Sequence, residues 1–301
     1  MAVLQKFTLS VAYFAANVAA MPQNQGPGVR RRVLASALTR LREDAGLGFD
    51  DVIKELGYSK SKISRIESAA TGVSIVDTRA LAELYRADAE EREWLLKLAS
   101  VAKKRGWWHV YGDVLFDWFS EYVVLESEAV AVDTFEIDLI PGLFQTPEYA
   151  RQIVRAFDPH AADAVVDKRV ELRQARQGRL EGGLLRVWAI LDEAALRRVV
   201  GGVEVHKAQL RHLLQLAALP SVTLQVLPFA KGAHIAMGSA FAQLMFADFP
   251  SVVYIENLSG GLYLDDDAEN EWYSLAMDHL RAAALNPEDS VSLVERVLDN
   301  H

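Results

Sequence analysis

Gly57 separates two short apolar patterns, and that break limits what the front of this chain can fold into. In DDVIKELGYSKSKISRIE, Asp50 to Glu67, Val52, Ile53 and Leu56 precede the glycine and Ile63 and Ile66 follow it. Gly57 and Tyr58 make a tight turn, and Ser59 is a good N-cap for a helix starting at Lys60. Ile63 and Ile66 lie three apart, so both face the preceding helices while Lys60, Ser61, Ser64 and Ser68 point outward. One narrow apolar edge anchors this helix, and its broad polar face is left free.

The flanks supply the helices against which that edge packs. From Val29 to Ala45, Leu34, Leu38, Leu41 and Ala45 recur at three and four residues, flanked by Val33 and Ala37, and Gly46 ends the run. Asp50 and Asp51 sit favourably at the positive end of the second helix. Amphipathic helices around Val76–Tyr85 and Ala89–Arg105 complete a five-helix unit.

On Asp50 to Glu67 the chain resembles the phage-repressor-like, or XRE-type, helix-turn-helix regulators: short helix, turn glycine, Ser59 and the Ile63/Ile66 pair fall at that family's spacing. It departs from the pattern at Ile53, where the family usually has alanine, and at Gly48 and Phe49, where it usually has Gln or Thr. The resemblance implies that the second helix enters the major groove of double-stranded DNA. Lys60, Ser61 and Ser64 are then the candidates for base edges, and Lys62 and Arg65 for phosphates. Arg30, Arg31 and Arg32, just ahead of the first helix, form a further candidate contact to a groove or phosphate. Glu67 is read as structural, pairing within the domain.

Charge supports the division. The whole chain carries a formal net charge of −9. Residues 1–110 hold 17 Lys and Arg against 12 Asp and Glu, a net +5, and the remainder holds 15 against 29, a net −14. A basic front on an acidic back assigns nucleic-acid contact to one part and another task to the other. There are no cysteines, which excludes disulfides, thiol catalysis and cysteine-ligated zinc and suits a cytoplasmic setting.

Beyond Gly106 the pattern changes. Trp107, Trp108 and Tyr111 read as interdomain packing rather than a base-stacking platform. A helix is expected from Asp117 to about Val132, then a Pro141–Gly142 turn into a helix capped by Thr146 with Pro147 at its first position. A charged helix follows over Val165–Leu180. Strand-like runs lie at 184–191, 222–228, 239–247 and 251–257, with helices between the first two and a Gly260–Gly261 turn into a short strand before two closing helices.

The expected fold is therefore a mainly α, five-helix DNA-binding domain over 27–105 and an α/β domain with a mixed sheet over 106–301. Residues 1–26 are read as a disordered or misassigned extension. The stretches GWWH, LESEA, LIPGLFQTPEYAR, ELRQARQ, DEAALRRVVGG, QVLPFAKGAH and VVYIEN resemble actinobacterial helix-turn-helix regulators with an antitoxin-like C-terminal domain. That resemblance implies a transcriptional regulator, often paired with a small protein partner.

The acidic part shows no catalytic constellation, so no enzyme activity, metal or cofactor is expected. Asp192 and Glu193 read as a helix-start preference; His206 and His212 lack a third ligand, and Asp265, Asp266 and Asp267 lack the spacing of a calcium loop. Lys231 and His234, in the glycine-rich FAKGAHIAMG, are candidates for a small-molecule effector or a partner protein. No segment has the apolar length of a membrane span. Because one reading head buries only roughly 600–1,000 Å² on DNA, a homodimer is expected. The alternative is an antitoxin-like protein that sequesters a small partner and autoregulates its operon.

Overall fold

The computed structural model describes residues 28–101, 107–247, 250–258 and 260–301. Five helices come first: α1 (Val29–Asp44), α2 (Phe49–Leu56), α3 (Lys60–Glu67), α4 (Ile75–Leu84) and α5 (Ala89–Val101). These match the helices expected from periodicity. The extension over 1–26 and the anticipated helix end at Arg105 lie outside the described residues.

A 3₁₀ turn at Trp107–Tyr111 leads to α6 (Asp117–Glu128) and β1 (Ala131–Glu136). Then come α7 (Pro147–Phe157), α8 (Asp163–Glu181), β2 (Arg186–Asp192), α9 (Glu193–Arg197), α10 (Val203–Ala217) and β3 (Val222–Leu227). The chain closes with β4 (Phe241–Met245), β5 (Val252–Asn257), β6 (Gly260–Leu264), α11 (Asp267–Ala283) and α12 (Pro287–Asp299). One six-stranded sheet has the order β3-β2-β1-β4-β5-β6. Strands β1, β2 and β3 pair in parallel, and β1 with β4, β4 with β5 and β5 with β6 pair antiparallel. Parallel neighbours need long crossovers, which α7 with α8 and α9 with α10 provide.

The central strand corrects the expectation that a helix runs on to Val132. That helix stops at Glu128, where Ala129 caps it with extended ψ, and Ala131 to Glu136 become β1. Apolar side chains at Ala129, Ala131 and Val132 continue the helical period, but β1 gains hydrogen-bonded ladders on both sides, to β2 and β4. Long-range pairing outweighs local preference here.

The sheet buries both faces. On one, Val132, Val187, Leu224, Leu244 and Val252 belong to a cluster continuous with Leu38, Ile63 and Leu81 of the helical unit. On the other, Phe135, Ile190, Phe241 and Val253 pack against Met277 and Leu280 of α11. Each such fully buried side chain contributes about 1.5–3 kcal/mol from removal of apolar surface from water.

The helical unit is joined to the sheet domain by the first turn of α1. The Val29 amide donates to the Glu121 carboxylate of α6, Arg30 pairs with Glu128, and Arg32 Nε lies 3.0 Å from Asp265 beyond β6.

Candidate nucleic-acid interface

The turn between α2 and α3 is built as its sequence requires. Gly57 has φ +66°, a conformation costly for a residue with a Cβ, and its amide caps Ile53. The Ser59 hydroxyl accepts from the Lys62 amide at 3.2 Å, satisfying one of the free donors at the start of α3. Ile63 and Ile66 are 1% and 2% exposed, so the helix is pinned by the edge that the spacing selects.

The opposite face of α3 is open. Lys60, Ser61, Ser64, Arg65 and Ser68 are all exposed, on one side of the helix. Neither Lys60 nor Arg65 makes an ion pair among the described residues. Two cations and three hydroxyls thus stand on one exposed side of α3, with donors for phosphate oxygens and short polar groups for base edges.

The scaffold behind this face is held by polar contacts that sequence reasoning passed over. Arg42 of α1 donates to both carboxylate oxygens of Glu67, at 2.7 and 3.0 Å, and to the Leu47 carbonyl at 2.8 Å, while lying over the Phe49 ring. This pair fixes the end of α3, the structural role read for Glu67. At the other end, Asp77 of α4 accepts from Tyr58 at 2.5 Å and from Lys62 at 2.7 Å, and the Lys62 ammonium sits 3.5 Å from the Tyr58 ring centre. No local pattern announces the Arg42–Glu67, Tyr58–Asp77 and Lys62–Asp77 contacts, since those partners are separated by 15 to 25 residues.

The structure places three of the expected DNA contacts against protein partners. Lys62 is spent on Asp77 and Tyr58, holding α3 to α4 rather than projecting freely. Arg30 and Arg32 lie inside the first turn of α1, not ahead of it, and point to Glu128 and Asp265 of the sheet domain. Of that triplet, Arg31 is the exposed one.

In the sheet domain, Lys231 is exposed on a 3₁₀ turn, and His234 is half-buried with its ring edge against Phe135 at 5.4 Å. Asp192 caps α9, and Glu193 accepts from the Phe229 amide and pairs with Arg197. His206 is buried on the Leu196 carbonyl, Asp265 holds Arg32, and Asp266 caps α11. Trp107 packs edge-on against Trp108 and Tyr111. Among the described residues there is no group of three potential metal ligands, and no helix is long and apolar enough to cross a membrane.

Residues 33–95 match the family model described as a helix-turn-helix domain, which spans α1 to α5. Residues 119–296 match the model described as a domain of unknown function (DUF5753), which spans the sheet domain. No curated protein and no solved structure matches the chain.

Proposed function

The chain belongs to the DUF5753 family, and from that premise we propose that it is a sequence-specific, non-enzymatic regulator of transcription whose sheet domain senses an effector. The observation that carries this reading is the exposed face of α3, with Lys60, Ser61, Ser64 and Arg65 presented by a helix anchored on Ile63 and Ile66. The helix-turn-helix domain supports double-stranded DNA as a partner. Lys60, Ser61 and Ser64 reach base edges, and Arg65 and Arg31 reach phosphates, in the manner of the phage-repressor-like regulators.

Coupling runs through the first turn of α1, where Val29, Arg30 and Arg32 contact Glu121, Glu128 and Asp265. A bound species shifts DNA affinity only through its differential affinity for the DNA-competent arrangement, and this joint is where the two domains share structure. The protein acts as a homodimer, because a single small reading head gives little area on DNA. Enrichment of random duplexes by the purified chain tests the reading: a near-palindrome with half-sites about 34 Å apart supports it, and absence of any enriched sequence refutes it.

A second reading is favoured by the net charge of −14 on residues 111–301. Such a surface repels phosphate and steers toward a basic protein partner, as an antitoxin-like regulator requires.

A further inference from the structure

α11 turns one stripe of side chains, Asp267, Asn270, Glu271, Ser274 and Asp278, toward the link between β4 and β5. The steps are three and four residues, so these groups share one side of the helix over roughly 16 Å. With Gln243 of β4 and Pro250 and Ser251 of the link, they line a cleft of about 560 Å³, within the size range of small-molecule sites.

The floor of the cleft is held in place. Gln243, 5% exposed, donates from Nε2 to the Ser274 hydroxyl at 2.8 Å, and Ser274 donates to the Asn270 main-chain carbonyl at 2.9 Å. Asn270 is 9% exposed, and its Nδ2 donates back along the helix to the Asp266 carbonyl at 3.0 Å. That bond fixes which end of the amide is which, since turning it over would set oxygen against oxygen. The remaining end, Oδ1, is left to the cleft and has no donor among the described residues. A buried amide oxygen without a donor is costly.

The rim is acidic. Asp267, Glu271 and Asp278 are exposed, and no lysine or arginine is among the described lining residues. Asp267 suits the first turn of a helix, and Asp278 pairs with Arg281 at 2.8 Å. Neither reason covers Glu271, which lies past the first turn, four residues from the like charge of Asp267, with no ion pair among the described residues. The charged and unpaired groups of the cleft are thus all acceptors, which selects a cation with N–H donors. The carboxylates do not gather into a group that could hold a metal ion. Glu271 and Asp278 stand seven residues apart, roughly 10 Å along the helix, with Leu275 between them.

We propose that this cleft binds a linear aliphatic polyamine whose ammonium groups lie roughly 10 Å apart, the spacing of Glu271 and Asp278. One ammonium donates to Asn270 Oδ1 and the Glu271 carboxylate, the far one reaches Asp278, and the methylenes between lie on Leu275 and Pro250. A single ammonium satisfies only one end of the stripe, and an anion meets three carboxylates. The site shares no residue with the loop carrying Lys231 and His234, and its regulatory meaning rests on reading the sheet domain as the sensor.

Calorimetric titration of the DNA-free full chain at fixed ionic strength tests this, with spermidine as the polyamine, putrescine and n-butylamine as shorter amines, and magnesium as a cation without N–H donors. Spermidine is expected to bind one to one, at least tenfold more tightly than the other three. Glu271→Gln and Asp278→Asn should each weaken it tenfold or more, while Glu90→Gln, at an exposed acid on α5, leaves it unchanged. Melting temperatures show that all three variants are folded. Spermidine binding no more tightly than magnesium or n-butylamine overturns the proposal, as does equal weakening by Glu90→Gln and Glu271→Gln, or wild-type binding by both cleft variants. Because no DNA is present, failure here leaves the DNA-binding reading intact, and absence of an enriched duplex leaves this result intact.

Discussion

Arg42 grips Glu67 through both carboxylate oxygens, at 2.7 and 3.0 Å, and so ties the first helix to the last turn of the helix that presents the candidate DNA face. Both side chains are about a tenth exposed, so removing one leaves the other charge poorly solvated. Glu67→Ala is expected to cost about 2 kcal/mol in urea unfolding, the range for a hydrogen bond to a charged group. A change below about 0.5 kcal/mol shows that water replaces the carboxylate without loss.

The Asp77 site gives a pH dependence. Burial alone raises its pKa, but the hydrogen bonds from Lys62, Tyr58 and Ser74 together outweigh burial and bring it below its ordinary 3.8. A depressed folded value means stability that is complete above the unfolded pKa and lost as pH falls through the folded one. The wild type should therefore lose stability below about pH 4 more steeply than Asp77→Asn. Parallel acid-unfolding curves contradict the clamp.

Glu136 predicts the opposite sign. Its folded pKa of about 8 exceeds its ordinary 4.5, so between these values the folded state holds a proton that the unfolded state has released. Stability from this site falls as pH rises through that window. Glu136→Gln should raise the melting temperature more at pH 8 than at pH 5. An equal shift at both shows that the carboxyl titrates normally.

The arginines of α8 should differ sharply. Arg176 and Glu126 are 5% and 4% exposed, and Arg176→Gln strands a buried carboxylate, at about 3–5 kcal/mol. Arg173→Gln removes a charge with no carboxylate on it and should be neutral or stabilising. Comparable losses in the two variants indicate that Arg173 is paired after all.

The helical unit was legible in the sequence because its signals are local. Gly57, Ser59 and the Ile63/Ile66 spacing each act within one turn of themselves, and the turn follows from them. β1 was not, since Ala131 to Glu136 become a strand only through partners at Arg186–Leu191 and Phe241–Met245. Arg30 and Arg32 read as a basic arm because their carboxylates, Glu128 and Asp265, lie about 100 and 233 residues away.

Titration of an enriched operator duplex with the full chain at several salt concentrations tests the central claim most directly. Arg65→Ala should weaken binding to operator and unrelated duplex about equally and flatten the salt dependence by roughly one unit of slope. Lys60→Ala should narrow the difference between operator and unrelated DNA. If both variants keep wild-type affinity, salt slope and discrimination, the exposed face of α3 does not read DNA.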